Sequence, residues 1–246
     1  MSSLVHKLGL SPSLSFHDVY SLTDPSLLDF VPRPAHALLL VFPVSSAYDS
    51  SRLAEDASLP EYTGSGPDEE VLWYKQTIGN ACGLIGLLHA ASNGLVRDFI
   101  GMLYSLIKHG KIAQNSLLLA HPTPLDTLIS TALPLRPDAR ARVLETSSTL
   151  AAAHASAASQ GDTAPPEASA EVDLHYVAFV KSKENNLWEL DGERKGPLNR
   201  GKLDEGDDIL SEKAIEMGPM RYLKREEGKA GGELRFSIVA LGPSLD

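Results

Sequence analysis

The apolar positions of the chain fall into runs of two kinds. Ala35 to Val44 is apolar at nearly every position, which predicts a strand covered on both faces. Val172 to Val180 and Leu187 to Leu190 are two further strand-like runs, separated by Lys-Glu-Asn-Asn, a hairpin signal. Leu234 to Leu241 reads as a closing strand. Helical spacing appears after Cys82, over Val96 to His109, around Leu118 or from Leu125 to Thr131, over Asp138 to Ala153, and around Ser211 to Glu216. Near the start, Leu4 to Leu10 has room for at most two turns ending at Gly9, and Asp24-Pro25 opens a short helix stopped by Val31-Pro-Arg-Pro. Ser45 to Pro67 reads as a loop with some charged helix, and Asp204 to Asp208 as a solvated acidic loop. Residues 147–171 are rich in Ala, Ser, Gly and Pro, the composition of a flexible segment.

The hairpin signal has a chemical consequence. A three-residue loop over Lys183 to Asn185 pairs Ser182 with Asn186 and sets Asp191 opposite Val177. Asp191 is then diagonal to His175 on the same face, and diagonal neighbours of this kind lie about 7 Å apart or less between Cβ atoms. One hairpin thus supplies an imidazole and a carboxylate able to orient it. The other seven histidines have no acid placed by a predictable hairpin. His89 shares the Cys82 face of its helix but is about 10 Å along the axis, too far to activate a thiol, and reads as a helix-end residue.

Cys82 is the only cysteine of the 246 residues. Asn80 reads as a helix N-cap, which places Cys82 in the first turn, where unpaired backbone N–H groups stabilise negative charge. Six residues earlier, the amide of Gln76 is placed to donate to an oxyanion formed beside Cys82. Gly83 and Gly86 leave a bare strip on the same helix, against which either another backbone or a slender substrate packs closely. Ser92-Asn93-Gly94 is a stop signal. A lone cysteine ahead of Leu84, Ile85, Leu87 and Leu88 is more often an inert core thiol, so Cys82 is decided by what stands downstream.

An apolar fraction of 43% suits a globular enzyme, and a formal charge of 22 − 32 = −10 argues against nucleic acid as a partner. With one cysteine there is no internal disulfide, and neither a signal peptide nor a membrane-crossing run is visible. The expected location is the cytoplasm, with the nucleus also open. No Gly-rich phosphate loop and no paired Cys/His spacing is present, so neither a cofactor nor a metal is expected.

Gln76-Thr-Ile-Gly-Asn-Ala-Cys-Gly, Asp173-Leu-His-Tyr-Val-Ala-Phe-Val and Leu187-Trp-Glu-Leu-Asp-Gly, in this order, resemble the three active-site blocks of the ubiquitin carboxyl-terminal hydrolases. Asp18-Val-Tyr, Val31-Pro-Arg-Pro and Glu233-Leu-Arg-Phe extend the resemblance over nearly the whole chain. It implies a papain-like cysteine hydrolase fold, an α/β protein of the α+β type with a central, mainly antiparallel sheet flanked by helices. It also implies one catalytic domain over residues 1–246, with 147–171 as an active-site crossover loop within it. The roles it implies are Cys82 as nucleophile, His175 as general base and then acid, Asp191 as orienting acid and Gln76 as oxyanion donor. Asp18 and Glu233 match acidic positions that face ubiquitin. The expected partner is ubiquitin carrying small or unfolded adducts, met by a monomer. Relatives begin with an additional aromatic and acidic segment before the match to Leu4, so a ubiquitin-binding module without turnover stays open as an alternative, as does a hydrolase for a related modifier. The match ends with the catalytic domain, as in the short members of the family.

Overall fold

The computed structural model describes residues 1–101, 122–158, 174–227 and 235–245. Its strands are β1 (Leu14–Asp18), β2 (Ala37–Pro43), β3 (Leu174–Lys181), β4 (Asn186–Leu190), β5 (Leu198–Lys202) and β6 (Ser237–Pro243). They form one antiparallel sheet in the order β1-β6-β2-β3-β4-β5. β2 lies inside the sheet and is buried at all its positions, as its unbroken apolar run predicts. Its side chains alternate between two cores. Ala37 and Leu39 join Ala178 and Val180 on one face, while Leu38, Leu40 and Phe42 join Val177 and Phe179 on the other. Each fully buried leucine contributes roughly 2 kcal/mol by its removal from water.

The first core is closed by α1 (Ser2–Leu8) and α4 (Cys82–Ala91), with α5 (Pro124–Ala132), α6 (Pro137–Thr146) and α7 (Ser148–Ala158) beyond them. The second takes residues from α8 (Glu212–Met217) and α9 (Met220–Glu226) and from the start of α3 (Ser46–Ala57). The short α2 (Pro25–Leu28) is capped by Asp24, whose side chain accepts from the Ser26 N–H. α5 begins with a capping box, Thr123 and Asp126 each accepting from the other's backbone N–H, and with Pro124 in its first turn.

Several sequence expectations need correction. The stretch from Val96 is a 3₁₀ turn, Gly94–Phe99, rather than the start of an amphipathic helix. Ile100 instead pairs with Leu10 in extended conformation, and Gly101, at φ 85°, turns the chain away. The rest of that expected helix, and the one around Leu118, lie outside the described residues. The first part of 147–171 is not loop: Ser148–Ala158 is helical, because alanine is the best helix former and outweighs the linker-like composition. Residues 159–171 lie outside the described residues. The acidic run is not simply solvated either. Asp208 is buried, accepts from the Ala35 N–H at 2.8 Å and pairs with Arg33. β5 and α9 have no counterpart in the sequence reading. No helix among the described residues is long and apolar enough to cross a membrane, and no group of three or more His, Cys, Asp or Glu residues among them is arranged to hold a metal.

Candidate active site

Cys82 is the first residue of α4 and is 8% exposed. The cap position is Ala81, with no side-chain bond, and Asn80 is not the cap. Asn80 sits at φ 58°, a left-handed conformation that asparagine tolerates better than most residues, and it turns the Gly79 loop into the helix. The first-turn N–H groups beside Cys82 therefore have no side-chain cap. The thiol rests with Sγ 3.5 Å from the Leu174 carbonyl oxygen at the start of β3.

His175 is the next residue of β3. The observed register pairs Ala178 with Leu190, which continues to Val177 opposite Asp191, and His175 Nε2 lies 2.8 Å from Asp191 Oδ1. Nδ1 remains for the thiol side, with Glu193 Oε1 at 3.9 Å. Burial alone would lower the His175 pKa, but Asp191, the nearby Cys82 side chain and Glu193 outweigh it and push it up to about 10. Burial likewise raises Asp191, and His175, Tyr48 and the Glu193 backbone bring it down to about 2. The pair therefore favours imidazolium beside carboxylate, the state a general acid needs.

The Asp191 carboxylate is wholly buried. Besides the imidazole it accepts from the Glu193 N–H (3.0 Å, Oδ1) and from the Tyr48 hydroxyl (2.7 Å, Oδ2). Its backbone carbonyl accepts from Trp73 Nε1 at 3.0 Å. The next residue, Gly192, accepts at its carbonyl from the Gln76 N–H at 2.8 Å. A Cβ on Gly192 would stand 2.9 Å from Ile85 Cγ2 and 3.0 Å from Gln76 Cβ, so only glycine lets the Gln76 segment and α4 approach this turn. Gln76 is thereby held against the turn that follows Asp191. Its Oε1 is buried and has no hydrogen-bond partner, so that oxygen is committed to no protein group.

The far end of α4 secures the same segment. His89 is fully buried, accepts from the Tyr74 N–H at Nε2 (2.9 Å) and stacks on the Tyr74 ring. Asn93 accepts from the Leu72 N–H and donates to the Leu72 and His89 carbonyls. His89 is thus more than a helix-end residue: it fixes the strand of chain that leads to Gln76. Burial lowers its pKa to about 4 and keeps it neutral.

The glycine strip is not an open path. A Cβ on Gly86 would meet Tyr176 Cβ at 3.3 Å and Leu39 Cδ2 at 3.4 Å, and one on Gly83 would meet the Tyr176 ring at 3.6 Å. The strip is where α4 settles on β2 and β3, so of the two occupants considered it takes the protein's own sheet. Asp18 ends β1 with its side chain exposed, at the sheet edge. Glu233 lies outside the described residues. Tyr48, Trp73, Gly192 and Glu193 escaped sequence reasoning. Ser45 ahead of a short run was a usable signal for Tyr48, since it caps α3 by accepting from the Tyr48 N–H.

Comparison with known proteins agrees with this geometry. Residues 1–218 match the family described as ubiquitin carboxyl-terminal hydrolase, family 1. Ubiquitin carboxyl-terminal hydrolase YUH1 of Saccharomyces cerevisiae is 30% identical over 252 residues, covering 100% of this chain and 92% of the yeast protein. A ubiquitin carboxyl-terminal hydrolase of Aplysia californica is 36% identical over 202 residues, covering 82% of this chain and 81% of its own length. Among solved structures, the UCH37 catalytic domain of Trichinella spiralis, bound to ubiquitin vinyl methyl ester, superposes with a TM-score of 0.65 at 18% identity, covering 99% of this chain and 90% of that one. That structural likeness establishes the papain-like fold, and the sequence matches carry the assignment further: the chain belongs to the ubiquitin carboxyl-terminal hydrolases of family 1.

Proposed function

We propose that this chain is a thiol-dependent ubiquitinyl hydrolase that cleaves ester, thioester, amide or peptide bonds at the C-terminal glycine of ubiquitin. The observation that carries this reading is the 2.8 Å contact between His175 Nε2 and Asp191 Oδ1 beside the thiol at the start of α4, in a member of this family. In the first step Cys82 Sγ leaves the Leu174 carbonyl and attacks the scissile carbonyl, its proton already held at Nδ1 of the His175 imidazolium that Asp191 favours. The imidazolium, held by Asp191, protonates the leaving group as the tetrahedral intermediate collapses to a thioester. The neutral imidazole then takes a proton from water, which attacks the thioester and releases ubiquitin. Both oxyanions form beside the Gln76 amide and the uncapped first-turn N–H groups of α4.

Asp18 is proposed as a ubiquitin contact on the exposed end of β1, with Glu233 as a second, and the enzyme as a monomer of the cytoplasm. Small or unfolded adducts are the proposed leaving groups.

The test is incubation with a ubiquitin C-terminal fluorogenic amide, followed by capture with ubiquitin bearing a C-terminal electrophile. Fluorophore release and capture, both lost in Cys82→Ser, are expected. Capture without release would leave a binding module, and activity only on a related modifier would redirect the substrate.

A further inference from the structure

Asp191 offers two carboxylate oxygens, and the reaction uses one. Oδ1 faces His175 Nε2 and the Glu193 N–H. Oδ2 is met by the hydroxyl of Tyr48 at 2.7 Å, from a helix far away in sequence. Three donors around a buried carboxylate fix its plane, where a carboxylate held at one oxygen would turn about a broad, two-fold torsion and carry the imidazole with it.

Tyr48 is itself held without slack. It is 2% exposed, and its ring meets Phe42 edge-on at 4.9 Å and lies 5.7 Å from the His175 ring. Arg52 and Arg225 stand over it at 5.8 and 5.9 Å. The Ser45 side chain that caps α3 at the Tyr48 N–H also donates to Glu226 of α9. Two turns further along α3, Glu55 and Asp56 pair with Arg194, and Glu55 also with Arg200, so the helix is clamped to the β4–β5 side of the hairpin at both ends.

We propose that Tyr48 is a positioning residue for the hydrolysis: its hydroxyl pins Asp191 Oδ2 so that Oδ1 aims at His175, and it acts through that pair without touching substrate. The proposal rests on the hydrolase reading. Burial, then Asp191, push the Tyr48 pKa far up, so the hydroxyl stays a donor over the whole working range. The other titratable or charged groups around Tyr48 and the pair are Cys82 from α4, Glu193 from the turn, Arg52 from α3, and Tyr222 and Arg225 from α9. His89 on α4 also feels the Asp191 charge. Of these, Tyr48 is the side chain that donates to Oδ2.

Tyr48→Phe keeps the ring and removes only the donor. On the fluorogenic ubiquitin amide, kcat is expected to fall about tenfold with KM within about twofold, as for a contact that matters in the transition state. A double-mutant cycle separates positioning from packing. On an Asp191→Asn background the same change should cost less than about twofold, whereas a packing effect would be additive. Two readouts need no ubiquitin substrate and no turnover. The downfield proton NMR signal of His175 Nε2–H should shift or broaden in Tyr48→Phe, and the pH profile of iodoacetamide alkylation, which in this chain reports Cys82 alone, should move with it. If the hydrolase reading fails, these two still decide the role of Tyr48. Wild-type kcat with an unchanged imidazole signal, or equal losses on both backgrounds, overturns the proposal. If Tyr48→Phe unfolds, Tyr48→Leu, which removes the donor without overpacking the site, takes its place with the same outcomes.

Discussion

The two halves of the active site are held by different forces. Cys82 is delivered by a helix held largely by apolar burial, with Ile85, Leu87, Leu88, Ala90 and Ala91 all inside the first core. His175 and Asp191 are delivered by a hairpin whose second strand and turn are threaded with charge. Glu189, wholly buried two residues before Asp191, meets Arg194, Arg200 and the Tyr222 hydroxyl. Arg194 in turn meets Glu55 and Asp56 of α3. The difference follows from the tasks. A nucleophile at a helix start needs only the helix in the right place, which non-directional packing achieves. A base needs its ring plane set, which takes directional bonds, and these hold only if every buried charge is partnered.

The largest break in the comparison is at Asp191. Asp191→Asn keeps the size of the side chain but presents an amide to the imidazole, which favours the wrong tautomer and removes the charge that supports imidazolium. The expected loss in kcat is about 10³-fold, with KM for the ubiquitin amide little changed. Steady-state kinetics check it, and wild-type turnover would mean that another group orients His175.

A matched pair of variants sharpens the contrast. Leu88→Ala on the packed side and Arg194→Met on the charged side should each cost about 3 kcal/mol in urea unfolding, one by a cavity and one by unpaired buried acids. Their kinetics should diverge. With the protein still folded, Leu88→Ala should keep kcat within about twofold, since the fault is remote from the thiol, while Arg194→Met loosens the segment that carries Asp191 and should lower kcat by about fivefold or more. Equal kinetic losses would erase the distinction between the two halves.

The same division explains what was legible in the sequence. Strand and helix runs follow from the period of apolar residues, so the continuous run at β2, the β3–β4 hairpin and the helix after Cys82 could be read directly. The juxtaposition of His175 and Asp191 was legible because hairpin register is set by loop length alone, and the observed pairing is the expected one. Long-range polar contacts leave no such period. Tyr48 reaches Asp191 across 143 residues, and Arg194 reaches Asp56 across 138, so neither spacing nor composition marks them. Two local readings failed for local reasons. Alanine's helix propensity prevailed over 148–158, and Asn80 took up a left-handed turn in place of a cap.

His89 gives the finest test, because it brings a titrating group into the packed half. Its imidazole is neutral in the folded protein, lowered to about 4 by burial against a value of 6.5 when exposed. A folded pKa below the unfolded one means that the unfolded chain binds more protons between these values. The contribution of His89 is therefore complete above about pH 6.5 and is lost as pH falls toward 4. At pH 5 the loss amounts to about 2 kcal/mol. His175 works in another window: its pKa is raised to about 10, so its contribution is complete below 6.5 and is lost progressively as pH rises from there through 10. Asp191 and Glu55, both lowered to about 2, lose theirs only as pH falls below about 4. His36, also lowered by burial, adds to the slope in the same direction as His89. His89→Gln keeps an acceptor for the Tyr74 N–H but cannot titrate. Unfolding free energies from urea titrations at pH 7.5 and pH 5 should therefore differ less in this variant than in the wild type, by about 2 kcal/mol, with the His36 share remaining. Identical pH dependence in both proteins would mean that His89 is already free to take up its proton in the folded state, and that the segment leading to Gln76 is held by Asn93 without it.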